Sequence, residues 1–209
     1  MDHVPPERDS FQWLALLQHH GAPTRLLDLT WSPYVAAFFA LERAKGDAAV
    51  WALNTAQIIP YRHTVAIAEM GEVDAWSMSL WKEGNFEEYF LKGNLPFVVI
   101  ANPSVSNKRL TAQSGTFLVP ARLDVSVEEI LGGYQTPEPV VKKFVLAEGI
   151  RDQAMRELYN MNLTHATLFP DLDGLARSMA YEFEFHWAFD PRTATEYPGY
   201  EHYLKPYLF

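Results

Sequence analysis

Apolar residues recur at helical spacing in Phe11, Leu14, Ala15 and Leu17, which predicts a helix reaching about His20. Asp9 stands three residues before Gln12, the spacing of an N-terminal capping box, and Gly21 with Pro23 ends the helix. The pattern then changes. Thr24–Asp28 is short, apolar at Leu26-Leu27, and reads as a buried strand or extended segment. Ser32-Pro33 marks a second helix start, because Ser accepts a free backbone N–H and Pro suits the first helical position. From Tyr34 to Leu41 every residue is apolar or aromatic, the pattern of a helix buried all round. Polarity returns at Glu42-Arg43, and Lys45-Gly46 closes the helix.

Further along, Ala48–Leu53 reads as a strand, and Phe97–Ala101 as a buried strand ended by Pro103. Residues 54–94 are the least legible, with one or two amphipathic helices across Met78–Leu91 broken at Gly84-Asn85. Arg109–Val119 predicts a strand, a tight Gly turn and a second strand. Ser126 with Glu129 starts a short helix, and Val140–Leu146 is a strand. Asp152–Met161 is helical, with Ala154, Met155, Leu158 and Met161 inward. Asp171 caps a final helix whose inward face is Leu172, Leu175, Ala176, Met179 and Phe183. Residues 190–209 form an aromatic, Pro-containing tail, and residues 1–8 are irregular. Together these elements predict one α+β domain over residues 1–209, a mixed sheet flanked by helices, with α/β as the alternative.

Composition sharpens this only in places. At 48% hydrophobic and 14% aromatic, the 209 residues have ample core material. The net charge of −9, without a Lys/Arg run, argues against non-specific nucleic-acid binding. The lack of cysteine removes disulfides and thiolate chemistry and fits a reducing, cytoplasmic setting. No apolar run is long enough to predict a membrane span.

Candidate chemistry concentrates in Gln18–Leu41, where polar groups crowd beside apolar residues. His19 and His20 are adjacent, so at most one faces a pocket; the other reading is a cation at a helix C-terminus. Arg25 and Asp28 either pair to hold a turn, or Arg25 grips a phosphate with its planar fork. Thr24, Thr30 and Ser32 are turn and cap residues, and hydroxyls beside a helix start also suit an anion. Arg109 and Gln113 lie four apart on one strand face, where Gln113 suits an amide or base edge. No metal site is expected, because no HxH or HExxH spacing occurs. Asp171 and Asp173 read as cap and first-turn carboxylates rather than calcium ligands.

The stretch QHHGAPTRLLDLTWSPYVAAFFAL resembles the FRG-domain family of bacteria and phages, through Gln18, His19, His20, Gly21, Pro23, Thr24, Arg25, Leu26, Leu27, Asp28, Thr30, Ser32 and Pro33. Similar patches are Asn107, Arg109, Gln113, Gly115 and Phe117, and then Leu168–Gly174. The Phe/Tyr-Arg-Gly motif that names the family does not occur, so the resemblance implies a domain shortened at its N-terminus. It also implies a layout similar to ADP-ribosyltransferases, where an early Arg, a Ser/Thr strand feeding a helix, and a later Glu hold NAD. Thr30-Trp31-Ser32 matches the second element; six residues before Gly115 stands Arg109 rather than an acid.

Three expectations follow from the resemblance. One is a pocket for a small anionic or nucleotide ligand, in a protein of phage defence or stress response. There Arg25 and Ser32 hold phosphate or ribose, with His19, Thr24, Asp28, Thr30 and Arg109 around them; His20 orients the ligand and Gln113 positions the reacting group. A second is an NAD-using enzyme. The third is a non-catalytic module with a protein partner.

Overall fold

The computed structural model describes residues 4–58, 84–93, 95–134, 136–184, 189–190 and 195–196. Its helices and small antiparallel sheets make an α+β fold, as the patterning predicts. The chain forms two compact units, Met1–Glu157 and Leu158–Phe209.

In the first unit, helix α1 spans Ser10–His19, and the Asp9 side chain accepts from Gln12 N–H at 3.0 Å. The return bond of a full box is replaced. The buried Gln12 carboxamide turns its oxygen to Ser104, accepting from its hydroxyl and N–H and from Val105 N–H at 3.1 Å. Gly21 leaves the helix at φ +86°, a left-handed conformation that glycine adopts without a Cβ clash. Strand β1 is Leu27–Thr30, helix α2 is Pro33–Glu42 and strand β2 is Ala48–Leu53. Ser32 caps α2 by accepting from Val35 N–H at 3.3 Å. Arg151 closes its other end, donating from Nε to Leu41 O and from Nη2 to Glu42 O, both at 2.9 Å.

A π-helical turn at Glu87–Leu91 precedes strand β3 (Val98–Ala101), helix α3 (Lys108–Ala112) and strand β4 (Gly115–Pro120). Helix α4 (Val127–Gly132) and strand β5 (Val141–Leu146) follow. The first sheet has the order β1-β4-β3, pairing Leu29 with Thr116 and Ile100 with Leu118, and β2 pairs with β5 in a second sheet. All pairings are antiparallel.

The period-2 alternation of β3 and β4 divides the interior. Val99, Ala101, Phe117 and Val119 join Phe11, Leu26, Phe86, Phe90 and Phe97 in an aromatic core under α1 and the π-turn. Val98 and Leu118 face the other way, packing with Ile130, Leu131, Tyr134 and Val140. Leu26, just before β1, belongs to the first core, whereas Leu29 packs against the second.

Several expectations are corrected. The extended segment begins later than Thr24, and Leu27, on the edge strand β1, is half exposed rather than buried. Helix α2 is not buried all round: Val35, Phe38 and Leu41 face inward, while Tyr34 and Phe39 are exposed. Arg109 is helical rather than extended, because the Asn107 side chain caps α3 by accepting from Leu110 N–H at 2.7 Å. Ser114 at φ 48° then turns the chain into β4. Gly115 allows a close approach there, since a Cβ would fall 2.5 Å from the end of the Leu110 side chain, Cδ1, and 3.2 Å from Leu110 O. Of the helix expected over Met78–Leu91, residues 78–83 lie outside the described residues, as does most of the 190–209 tail.

Helix α5 (Arg151–Asn160) buries Met155 and Leu158 as expected, but Met161 beyond its end is exposed. The second unit continues with α6 (His165–Leu168), α7 (Leu172–Glu184) and the short strands β6 (Phe189–Asp190) and β7 (Thr195–Glu196). Asp171 caps α7, accepting from Gly174 N–H at 2.7 Å. The inward face of α7 differs from the apolar stripe. Gly174, Ser178 and Tyr181 are buried, while Leu172, Leu175, Ala176 and Met179 are exposed; the Phe183 side chain lies outside the described residues. On this face Tyr181 stacks on Tyr159 at 4.8 Å, beside His165, whose Nδ1 meets Tyr159 Oη at 2.7 Å.

Candidate functional site

The polar crowd between α1 and α2 separates into two environments. The first surrounds Arg25. Its guanidinium donates from Nη1 to Phe90 O and from Nη2 to Pro120 O at 2.8 Å and Ala121 O at 3.0 Å. The planar fork thus gathers the π-turn and the end of β4 onto the segment before β1. Burial lowers the Arg25 pKa from its ordinary value, the direction expected when a cation leaves water for neutral carbonyls. Beside it, Thr24 Oγ1 donates to Gln18 Oε1 and accepts from Leu26 N–H at 3.2 Å. Gln18 Nε2 donates in turn to Asp28 Oδ1 at 2.9 Å. The expected Arg25–Asp28 turn bridge is therefore replaced: Arg25 holds carbonyls and Asp28 holds Gln18.

The second environment is a cavity of about 940 Å³ in the first unit. Strand β1 contributes Leu27, Asp28, Leu29 and Thr30, and helix α2 contributes Val35, Ala36, Phe39 and Ala40. Consecutive β1 residues touch it because β1 is the sheet edge, so both of its faces border the same space. Trp51 and its β2 neighbours form the opposite wall, while Arg109, Gln113 and Glu128 bring polar groups from α3 and α4. Thr30 ties the β1 end to the α3 end, donating from Oγ1 to Gln113 O at 2.7 Å and accepting from Ser32 N–H at 3.0 Å. Trp31 N–H adds a bond to Ser114 O at 3.0 Å. These bonds fix Arg109 and Gln113 relative to Asp28 and Thr30.

A smaller chamber of about 240 Å³ adjoins the cavity and shares Thr30, Ala36 and Trp51 with it. Trp31, Thr55 and the buried Thr116 also line it. Trp31 is 60% exposed and Trp51 49%, so neither residue is sealed into the core. Lys143 Nζ sits 5.2 Å from the Trp51 ring centroid.

Residues 2–49 match the family model of the FRG domain. The resemblance carried by Gln18–Leu41 is thus shown over that span; the patches at Asn107–Phe117 and Leu168–Gly174 lie beyond it. No curated protein and no solved structure matches the chain. The FRG match supplies α1, β1, α2 and the start of β2, and hence one side of the cavity.

Of the residues singled out from sequence, Asp28, Thr30, Arg109 and Gln113 converge on the cavity. Arg109 and Gln113 do so from a helical turn, where i and i+4 share a face, with Gln113 N–H donating to Arg109 O at 3.0 Å. Arg25 and Thr24 belong to the buried junction, and Ser32 caps α2. His20 is exposed at the α1 C-cap, its N–H on Leu16 O and Leu17 O, and its ring meets that of His19 edge-on at 5.1 Å. His19 sits in the last turn of α1, where a cation is favoured.

Sequence reasoning missed Glu128, Trp51 and Phe39. Glu128 reads from sequence as a first-turn helix carboxylate, and Trp51 as an ordinary strand aromatic, so neither carried a signal. The exposure of Phe39 was hidden by the apolar run around it. Among the described residues, no three His, Asp or Glu gather as a metal site, and no helix is long and apolar enough to cross a membrane.

Proposed function

We propose that this chain binds a nucleotide-like small molecule in the cavity bounded by β1, α2, β2, α3 and α4. One observation carries the reading: Asp28 and Thr30, from the FRG-matched span, share a cavity with Arg109 and Gln113, which are remote in sequence. Small-molecule sites combine apolar walls with a few convergent polar groups, in volumes of roughly 300–1,000 Å³. This cavity, at about 940 Å³, has that composition and size. Arg109 suits an anionic or carbonyl group, Gln113 offers both a donor and an acceptor to a base edge, and Asp28 accepts from hydroxyls. The test is calorimetry with a panel of nucleosides, nucleotides and NAD. Binding that Arg109→Ala and Gln113→Ala each weaken supports the reading; a panel with no binder ends it.

An NAD-using, ADP-ribosyltransferase-like enzyme is the second reading. It draws on the order of elements: β1 ends at Thr30, and Trp31-Ser32 leads directly into α2. Six residues before Gly115, by contrast, where that layout places its Glu on a strand, stands Arg109 on helix α3. Incubation with NAD decides between the readings. Nicotinamide release supports the enzyme, whereas binding without turnover supports a non-catalytic sensor with a protein partner, in the phage-defence or stress setting that the family resemblance implies.

A further inference from the structure

The charge and hydrogen-bonding character of the cavity narrows the ligand class, on the reading that it is a ligand site. Among the described residues, its lining carries one cation, Arg109, against two carboxylates, Asp28 and Glu128. Gln18 holds the Asp28 carboxylate at the β1 edge. The nearby Lys143 ammonium lies over the Trp51 ring. A carboxylate only accepts hydrogen bonds, and so does a phosphate at neutral pH. A polyphosphate placed here would oppose two acceptor anions with a single guanidinium to offset them. A ligand whose polar groups donate is matched instead.

The smaller chamber has complementary chemistry. Trp31 and Trp51 line it without being sealed into the core, and aromatic rings stack nucleobases regardless of sequence. Thr116, which lines the chamber, donates its hydroxyl proton to Ala101 O at 3.2 Å, so its oxygen keeps the capacity to accept. An exocyclic amine on a flat ring would meet that acceptor.

We propose that the occupant is a nucleoside rather than a nucleotide polyphosphate, with its base against Trp31 and Trp51 and its sugar hydroxyls donating to Asp28 and Glu128. The two chambers adjoin through Thr30 and Trp51, the junction at which base and sugar would meet.

The test is titration of the full chain with adenosine, guanosine, cytidine, uridine and nicotinamide riboside, each beside its mono- and diphosphate. Calorimetry gives affinity and tryptophan fluorescence reports stacking. The expected result is a ladder in which each phosphate weakens binding about two- to fivefold at low salt, the range for exposed charge pairs. Asp28→Asn combined with Glu128→Gln should flatten that ladder, and Trp31→Phe or Trp51→Phe should cut the quench. Both carboxylates are exposed, so circular dichroism should confirm an unchanged fold. Diphosphates binding more tightly than nucleosides, or a ladder indifferent to the carboxylates, would overturn the nucleoside assignment and leave the cavity a ligand site. Absence of binding across the panel would overturn both.

Discussion

Arg25 and Asp28 stand three residues apart, yet they belong to different kinds of surroundings. Arg25 is consumed by protein: three backbone carbonyls, from the π-turn and the end of β4, take its guanidinium. Asp28 edges an open cavity and has one described partner, Gln18. The start of β1 separates them. Leu26 enters the aromatic core on one side of the sheet, while Leu29 packs against the core on the other. Polar groups before the strand therefore settle junctions between elements, and those on the strand border the space beyond its free edge. The lesson is that polar crowding in a sequence marks a place where elements meet. Only the direction of the backbone tells which residues face a ligand.

The strongest way to break this contrast is Arg25→Ala. It leaves buried carbonyls without their charged donor, a loss of roughly 2–4 kcal/mol. Thermal unfolding should show a fall in Tm of about 5–15 °C. Arg25→Lys should recover only part of it, because a single ammonium cannot reproduce the fork. An Arg25→Ala protein of unchanged Tm that loses ligand binding would instead move Arg25 into the binding site.

Next in size is Gly115→Ala. The added methyl meets Leu110 Cδ1, which can move, and Leu110 O, which is part of the backbone. The expected cost is roughly 1–3 kcal/mol, together with weaker ligand binding as α3 carries Arg109 and Gln113 aside. Gln18→Ala comes third, at roughly 0.5–1.5 kcal/mol, since it removes the link between Thr24 and Asp28. Denaturant titration resolves both effects. A Gln18→Ala loss as large as that of Arg25→Ala would mean that the two environments are one network.

Much of this architecture was legible. The caps at Asp9, Ser32, Ser126 and Asp171 work as their spacing predicts, because capping is a local interaction written in a few residues. The strands at Ala48–Leu53 and Val98–Ala101 were equally local. What could not be read was which side of an element faces inward. The uniform apolar run of α2 has no polar face to mark its outside, so the exposure of Tyr34 and Phe39 had no signature. In α7 the apolar stripe pointed the wrong way: the face that packs inward carries Gly174, Ser178 and Tyr181, whose ring stacks on Tyr159. At Arg109–Gln113 the secondary structure was misread, yet the pair still shares a surface, since a spacing of four is common to strand and helix faces. The candidate site was thus half legible: Asp28, Thr30, Arg109 and Gln113 reach the cavity, whereas Glu128 and Trp51 needed the tertiary structure to bring them there.

The smallest expected effect on stability is the most direct test of the cavity half of the contrast. Arg109 and Gln113 are part-buried on a short helix, and neither side chain belongs to either core. Truncating each to Ala removes contact with the cavity and leaves Asn107 capping α3 and Thr30 bonded to the Gln113 backbone carbonyl. Each side chain also gives up its own polar contacts, so stability should fall by about 0.2–1 kcal/mol, the range for partly exposed polar pairs. Ligand affinity should fall at least fivefold in the same proteins, measured by calorimetry at fixed salt. A variant that binds normally would remove that residue from the site. One that unfolds would show that α3 depends on its cavity-facing side chains, and the division between a structural and a binding half of this junction would then be lost.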